Sequence, residues 1–176
     1  MIRILSCTVF LVFVVISCKN QESKETDVSQ EVKTTQYYLI RHAEKDRTDP
    51  ENRDPKLTSE GMARAERWAV YFDTIDLDAV YSTQYVRTVM TATPTAESKQ
   101  LDVLSYDPRQ LYDENFQLNS KDKKVLVVGH SNTTPAFVNK ILGADKYSDM
   151  DDNDNSSLFV VTLKNNMPEV EIRTVQ

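Results

Sequence analysis

Two apolar runs, each followed closely by a histidine, constrain the fold of this chain most. Residues 37–40 read Tyr-Tyr-Leu-Ile and lead into Arg41 and His42, while residues 125–128 read Val-Leu-Val-Val and precede His130 by two positions. A short continuous apolar run is typical of a strand that is buried on both faces of a parallel sheet. Open α/β sheets bind their ligands at the carboxyl ends of such strands. Because the chain has only two histidines, we expect both at one site that binds a negatively charged group.

The rest of the chain alternates strand-like and helix-like segments. The patterns predict strands at residues 36–41, 78–82, 103–106 and 124–128 and helices at residues 58–72 and 84–93. We expect Thr58 to cap the first helix, with Met62, Ala65, Ala69 and Phe72 on its apolar face. The second helix is expected to carry Val86, Met90 and Thr93 on one face and to end near Pro94. Residues 108–117 remain ambiguous.

The C-terminal third predicts one more helix and a hairpin. Pro135 suits a helix start and Gly143 its end, while strands at residues 157–163 and 170–174 flank the turn Asn165-Asn166. Strands that alternate with helices predict an α/β fold. We expect a three-layer sandwich, with a mainly parallel central sheet, helices on both faces and an antiparallel edge at the C-terminus.

The N-terminus reads as an export signal. Arg3 precedes an apolar stretch at residues 4–16, which is too short for a membrane-spanning helix and typical of a secretory signal. The segment ends in Ser17-Cys18 and resembles a bacterial lipobox, in which the cysteine is lipidated. The alternative is an ordinary signal peptide with an incidental cysteine. The lipobox interpretation predicts a lipid-anchored protein of the bacterial cell envelope, in the periplasm or at the outer membrane.

Composition divides the chain and excludes several classes of function. We predict a signal peptide at residues 1–17, the lipidated cysteine and a flexible tether at residues 18–35, and one domain at residues 36–176. The net charge of −6 argues against a nucleic-acid partner. The two cysteines, Cys7 and Cys18, both precede the domain, so a cysteine nucleophile or a zinc-thiolate site is excluded there. We expect neither a metal nor a cofactor.

Three short segments carry residues that suit phosphate chemistry. Imidazole can attack phosphorus and form a phosphohistidine, and an arginine fork such as that of Arg41 matches phosphate oxygens. Arg87 is expected in the first turn of the second helix, where the helix N-terminus favours an anion. His130 can stabilise a phosphoryl oxygen, and Gly129 allows close backbone approach.

These segments together resemble those of the histidine phosphatase superfamily, also called phosphoglycerate mutase-like. The matches are Arg-His-Ala-Glu at residues 41–44, Ser82 followed by Arg87 in a Thr/Ala-rich helix, and Gly-His at residues 129–130. Leu-Thr-Ser-Glu-Gly at residues 57–61 resembles a further family motif. The resemblance implies the superfamily's fold and a metal-independent phosphatase.

The resemblance also implies individual roles. His42 would be the nucleophile, and Arg41, Arg87 and His130 would form the phosphate pocket. A general acid is usual between the second and third motifs, where Glu114 suits the spacing better than Asp113, although both could be surface charges. The substrate would be a small phosphorylated molecule or a phosphoprotein.

Several alternatives stay open at this stage. Glu44 and Lys45 either line the edge of the pocket or form a solvent-exposed pair. The acidic residues Asp149, Asp151, Asp152 and Asp154 lack the glycine and glutamate of a calcium loop, which favours a solvated loop. Rival functions are a phosphoglycerate mutase-type phosphoryl transferase, a phosphohistidine-protein phosphatase and a non-catalytic phospholigand-binding envelope lipoprotein.

Overall fold

The computed structural model describes residues 34–176, and these residues form four helices and six strands. The predicted signal peptide, Cys18 and all but the last two residues of the tether lie outside the described residues. The elements in chain order are β1 (Thr34–Arg41), α1 (Ser59–Phe72), β2 (Ala79–Ser82), α2 (Val86–Ser98), β3 (Val103–Ser105), α3 (Glu114–Ser120), β4 (Lys124–Gly129), α4 (Thr133–Leu142), β5 (Ser157–Lys164) and β6 (Met167–Thr174).

All six strands lie in one sheet, in the order β3-β2-β4-β1-β5-β6. The first four are mutually parallel, and β5 and β6 add an antiparallel edge. In the parallel pair β1 and β4, Arg41 lies opposite Gly129. This topology confirms the predicted α/β fold and places the ends of the two apolar runs side by side.

Helices cover both faces of the sheet, which explains why the apolar runs are continuous. Tyr37 and Leu39 pack against Phe116 of α3 and residues of α4 on one face. Tyr38 and Ile40 point to the other face and pack with residues of α1 and α2. Because successive strand residues point to opposite faces, a strand buried on both sides needs apolar residues at every position.

Helix α1 follows the prediction in its bounds but not in its whole buried face. Thr58 caps it, and the Thr58 hydroxyl accepts a hydrogen bond of 3.0 Å from the Gly61 amide. Met62 is exposed, whereas Trp68 is buried. The predicted apolar face therefore wrongly includes Met62, and it omits Trp68, the largest buried side chain of the helix.

The prediction that α2 ends near Pro94 is wrong, because the helix continues through that residue to Ser98. Its buried face is lined by Arg87, Thr88, Thr91, Ala92, Thr95 and Ala96, not by the predicted Val86, Met90 and Thr93. A proline inside a helix costs about 3 kcal/mol or more. Burial of Ala92 and Ala96 in the core beneath the helix favours its continuation, and small side chains allow close packing there.

The remaining elements agree with the sequence, and the ambiguous segment becomes a loop followed by α3. Gly143 caps α4, and the turn residues Asn165 and Asn166 have φ angles of 52° and 60°, as a two-residue hairpin requires.

Within residues 34–176 the longest helix, α1, has 14 residues, and none of the described helices combines the length and apolar character needed to cross a bilayer.

Candidate active site

The structure brings His42 and His130 together at the carboxyl ends of β1 and β4. The His42 amide donates a hydrogen bond of 2.9 Å to the carbonyl oxygen of Gly129. The two imidazole rings lie 5.4 Å apart between centroids and nearly perpendicular, at 75°. Parallel pairing of the two strands therefore builds the core of the site directly.

The surroundings of His42 hold its ring neutral and fix its tautomer. Its Nδ1 lies 2.7 Å from the carbonyl oxygen of Ala43; since a carbonyl only accepts, Nδ1 carries the proton and Nε2 keeps its lone pair. The side chain is only 3% exposed. Burial above all, and then the charges of Arg41, His130 and Arg87, lower the pKa of His42 to about 3. The ring is thus unprotonated at neutral pH.

Arg41, which is 1% exposed, is held by the loop that precedes β5. Its Nη1 donates to the carbonyl oxygen of Asp151 at 2.9 Å, and its Nη2 donates to Oδ1 of Asp152 at 2.6 Å. The remaining donor, Nε, is buried and has no hydrogen-bond partner. Burial lowers the pKa of Arg41, but an arginine keeps its charge in proteins.

Arg87 lies in the first turn of α2, as the sequence predicted, and reaches back toward the two histidines. Its Nη1 lies 3.3 Å from Oδ1 of Asp54, which also accepts a 3.0 Å hydrogen bond from the Val86 amide. The guanidinium carbon lies 4.4 Å from the centre of the Tyr85 ring. The Nε of Arg87 is also buried without a partner.

His130 completes the group around His42. Its amide donates to the Thr133 hydroxyl at 2.9 Å, and its ring stands edge-to-face against Tyr85 with 5.0 Å between centroids. Its Nε2 is buried and has no partner. Burial first, and then the charges of Arg87, Arg41 and Lys45, lower the pKa of His130 to about 4.

Three buried nitrogen atoms on the residues grouped with His42 therefore have no hydrogen-bond partner in the described protein: Arg41 Nε, Arg87 Nε and His130 Nε2. An unsatisfied buried polar group costs about 1–3 kcal/mol, and more when it is charged. A ligand that offers several acceptor oxygens and negative charge would satisfy them together. A phosphoryl group has both properties.

The structure does not bring Glu114 to this site. Glu114 is an exposed residue at the start of α3 and lines a separate cavity with Thr35 and Leu163, near the end of β1 opposite to Arg41. Asp113 caps the same helix and accepts a 2.7 Å hydrogen bond from the Phe116 amide. Neither carboxylate contacts the histidines, so the spacing that favoured Glu114 as general acid is a poor guide to its position.

The loop at residues 149–154 is not simply solvated, which corrects the expectation from its acidic composition. Asp152 is largely exposed, yet it forms ion pairs of 2.6 Å with both Arg41 and Arg47. Within residues 34–176, no cluster of three or more His, Cys, Asp or Glu side chains could hold a metal ion. The loop serves as a counterion for the arginines.

Glu44 and Lys45 do not form an exposed pair with each other. Oε1 of Glu44 forms a 2.7 Å ion pair with Nε of Arg64 in α1. Lys45 lines a cleft of about 280 Å³ together with His42. Both residues therefore line the edge of the pocket, which is the first of the two alternatives considered for them.

Two supporting residues escaped the sequence reasoning. The hydroxyl of Thr91 in α2 accepts a 2.9 Å hydrogen bond from the Ala43 amide, which explains the threonine in the buried face of that helix. Nδ2 of the buried Asn155 donates to the His42 carbonyl oxygen at 2.7 Å. A buried asparagine next to an acidic loop has no distinctive sequence signal, so it could be found only from the fold.

The first two motifs of the site lie within residues 37–109, which match the family model of the histidine phosphatase superfamily (branch 1). The match therefore assigns residues 37–109 to the histidine phosphatase superfamily. It covers Arg41, His42 and Arg87, whereas His130 joins them through the strand pairing described above. No curated protein sequence matches this chain significantly.

Solved structures resemble this chain over nearly its whole described length. A phosphoserine phosphatase mutant from Entamoeba histolytica, bound to phosphoserine, aligns with a TM-score of 0.62 at 13% identity, over 81% of this chain and 98% of that one. The protein histidine phosphatase SixA in complex with tungstate gives 0.61 at 14% identity, over 79% and 96%. A mycobacterial glucosyl-3-phosphoglycerate phosphatase gives 0.55 at 13% identity, over 80% and 98%. At these identities the likeness establishes the fold.

Proposed function

We propose that this protein is a phosphatase that hydrolyses small phosphomonoesters or phosphoproteins through a phosphohistidine at His42. The observation that carries the proposal is the unprotonated Nε2 of His42 beside three buried nitrogen atoms without partners, on Arg41, Arg87 and His130. The proteins of similar structure support this proposal, since they include a phosphoserine phosphatase and a protein histidine phosphatase.

The first chemical step forms a bond between His42 Nε2 and phosphorus. The bond from phosphorus to the leaving oxygen breaks, and its electron pair stays on that oxygen, which takes a proton from water. Positive charge then develops on the imidazole, and the hydrogen bond from Nδ1 to the Ala43 carbonyl stabilises it. Arg41 and Arg87 offset the negative charge on the non-bridging oxygens, and the neutral His130 can donate a hydrogen bond to one of them.

The second step returns the enzyme to its starting state. A water oxygen attacks phosphorus, the bond between phosphorus and Nε2 breaks, and the nitrogen recovers its lone pair while inorganic phosphate leaves. The hydrogen bond from Asn155 to the His42 carbonyl keeps the backbone in place throughout. The two steps need no metal ion, because cationic side chains supply the positive charge.

The carboxylates that contact the two phosphate-binding arginines do not serve as a proton donor. Asp152 pairs with Arg41 and Asp54 pairs with Arg87. A leaving group that is stable without a proton should therefore react fastest, as an aryl oxide is. This property favours p-nitrophenyl phosphate as the assay substrate.

The decisive experiment traps the covalent intermediate in the full chain. An excess of enzyme is mixed with a ³²P-labelled phosphomonoester and quenched, and the protein is tested for an acid-labile, alkali-stable phosphoryl adduct. We expect the adduct in the unaltered chain and its loss in His42→Ala, while the exposed-site control Lys123→Gln retains it. Turnover should be unaffected by EDTA. Normal turnover in His42→Ala, or an adduct that persists there, would overturn the mechanism.

We further propose that the protein is anchored to the bacterial cell envelope through a lipid on Cys18. The support is the basic start, the apolar stretch at residues 4–16 and the lipobox-like Ser17-Cys18. Each buried methylene of an acyl chain adds about 0.8 kcal/mol, so two or more chains give stable attachment. Cell fractionation should find the unaltered chain in membranes and Cys18→Ala released or unprocessed. A Cys18→Ala protein that is processed and membrane-bound as before would refute the anchor.

A further inference from the structure

Lys45 lies three residues after the nucleophile, on a segment that the fold holds in place. It forms an isolated antiparallel bridge with Leu57, and the Asp46 amide next to it donates to the Lys56 carbonyl at 2.8 Å. Its side chain lines the same cleft of about 280 Å³ as His42. The backbone of Lys45 is therefore fixed at the mouth of the site.

Lys45 differs from its cationic neighbours because it forms no direct ion pair with a carboxylate among the described residues. Arg41 and Arg47 share Asp152, and Arg87 has Asp54. Among the described residues, no carboxylate oxygen lies within 4.0 Å of the Lys45 ammonium. The other carboxylates of the cleft do not change this balance, because Glu44 pairs with Arg64 and Glu60 is exposed to solvent.

The charge of Lys45 acts on the phosphate-binding groups themselves. Burial first, and then the charge of Arg47, lowers the pKa of Lys45; Asp152 opposes this, and Arg87 and Arg41 lower it further. The charge of Lys45 in turn lowers the pKa of His130. This effect on His130 agrees with the position of Lys45 in the cleft that it shares with His42.

We propose that Lys45 is a further substrate-binding residue, whose ammonium contacts a non-bridging oxygen of the phosphoryl group in the His42 site. Of the cations Arg41, Lys45, Arg47 and Arg87, only Lys45 forms no ion pair with a carboxylate among the described residues, and a phosphate oxygen would supply the missing negative partner. The inference rests on the proposed function and adds a residue to its phosphate pocket.

Inorganic phosphate is the appropriate probe, because it contains the phosphoryl oxygens and no leaving group. Its dissociation constant is measured by calorimetric titration of the full chain, at one pH and ionic strength. Lys45→Gln should bind phosphate about 10-fold more weakly or worse, as expected from the loss of one charge-assisted hydrogen bond. Lys45→Arg should restore the affinity to within about 3-fold, since it retains the charge and donors.

Lys123→Gln is the matched control. Lys123 is exposed just before β4, at the end of the sheet opposite to the histidines, and its replacement removes the same charge. Unchanged phosphate affinity in Lys45→Gln, or an equal loss in Lys123→Gln, overturns the role of Lys45. The proposed function fails separately, if the unaltered chain neither hydrolyses p-nitrophenyl phosphate nor forms a phosphoenzyme. Melting temperatures of the variants must agree, since a folding defect would lower affinity without any contact to phosphate.

Discussion

The two buried histidines should make folding stability strongly dependent on pH between pH 7.5 and pH 5. The folded-state pKa is about 3 for His42 and about 4 for His130, whereas an unfolded histidine has a pKa near 6.5. As pH falls below 6.5, the unfolded chain takes up protons that the folded chain does not. The free energy of unfolding is therefore greatest above pH 6.5 and falls as the solution is acidified.

The size of this effect depends little on the exact folded pKa. With a folded pKa well below 5, a histidine with an unfolded pKa of 6.5 costs about 2 kcal/mol of stability at pH 5 relative to pH 7.5. His42 is almost fully buried and should show the whole effect. His130 is only partly buried and should show less. Together they should lower the free energy of unfolding by about 3–4 kcal/mol.

Urea unfolding of the full chain at pH 7.5, 6.5, 5.5 and 5.0 measures the effect directly. The chain has no other histidine, so the double variant His42→Gln/His130→Gln should lose nearly all of the dependence above pH 5. Carboxylates with a lowered pKa, such as Asp107 at about 2, titrate below this window. Equal stability at pH 7.5 and pH 5, or the same slope in the double variant, would show that the histidines are not buried as described.

Three substitutions test other parts of the site. Gly61→Ala places a Cβ 2.2 Å from the Glu44 carbonyl oxygen and should cost about 2–3 kcal/mol of stability; a urea midpoint equal to that of the unaltered chain contradicts this close approach. Asn155→Ala removes the donor to the His42 carbonyl and should cost about 1–3 kcal/mol and slow p-nitrophenyl phosphate turnover at least about 10-fold; normal turnover refutes a positioning role. Glu114→Gln should leave kcat within about 2-fold on aryl and alkyl phosphates, since Glu114 lies away from the histidines; a loss confined to alkyl phosphates would restore it as the general acid.

The sheet could be predicted from sequence because its signals are local. Apolar residues at every position of residues 37–40 and 125–128 require burial on both faces, and the Asn165-Asn166 turn adopts the positive φ angles of a tight hairpin. The strand register then places His42 beside Gly129 without further information. Local sequence patterns therefore predict an element correctly where the residues of one short segment alone show whether it is buried or turns.

Helix α2 continues through Pro94, which shows that tertiary packing can override a local signal for the end of a helix. Pro94 predicts a helix end, and residues 91–96 alternate threonine with small or restrictive residues, so propensity alone argues for termination. The structure buries Ala92 and Ala96 in the core, and the Thr91 hydroxyl accepts a hydrogen bond from the Ala43 amide. These contacts involve residues far apart in the chain, and their combined free energy exceeds the cost of one proline.

The acidic loop fails as a local prediction for a related reason, because its partners lie far away in the chain. The spacing of Asp149, Asp151, Asp152 and Asp154 matches no metal loop, so composition favours solvation. Arg41 nevertheless lies at the end of a central strand with 1% of its surface exposed, and a buried guanidinium requires acceptors. The loop before β5 supplies them through the Asp151 carbonyl and the Asp152 carboxylate. Two nitrogens of Arg41 are thereby satisfied by the protein, whereas the third, Nε, has no partner in the described residues and is the atom that would contact the phosphoryl group in the proposed mechanism.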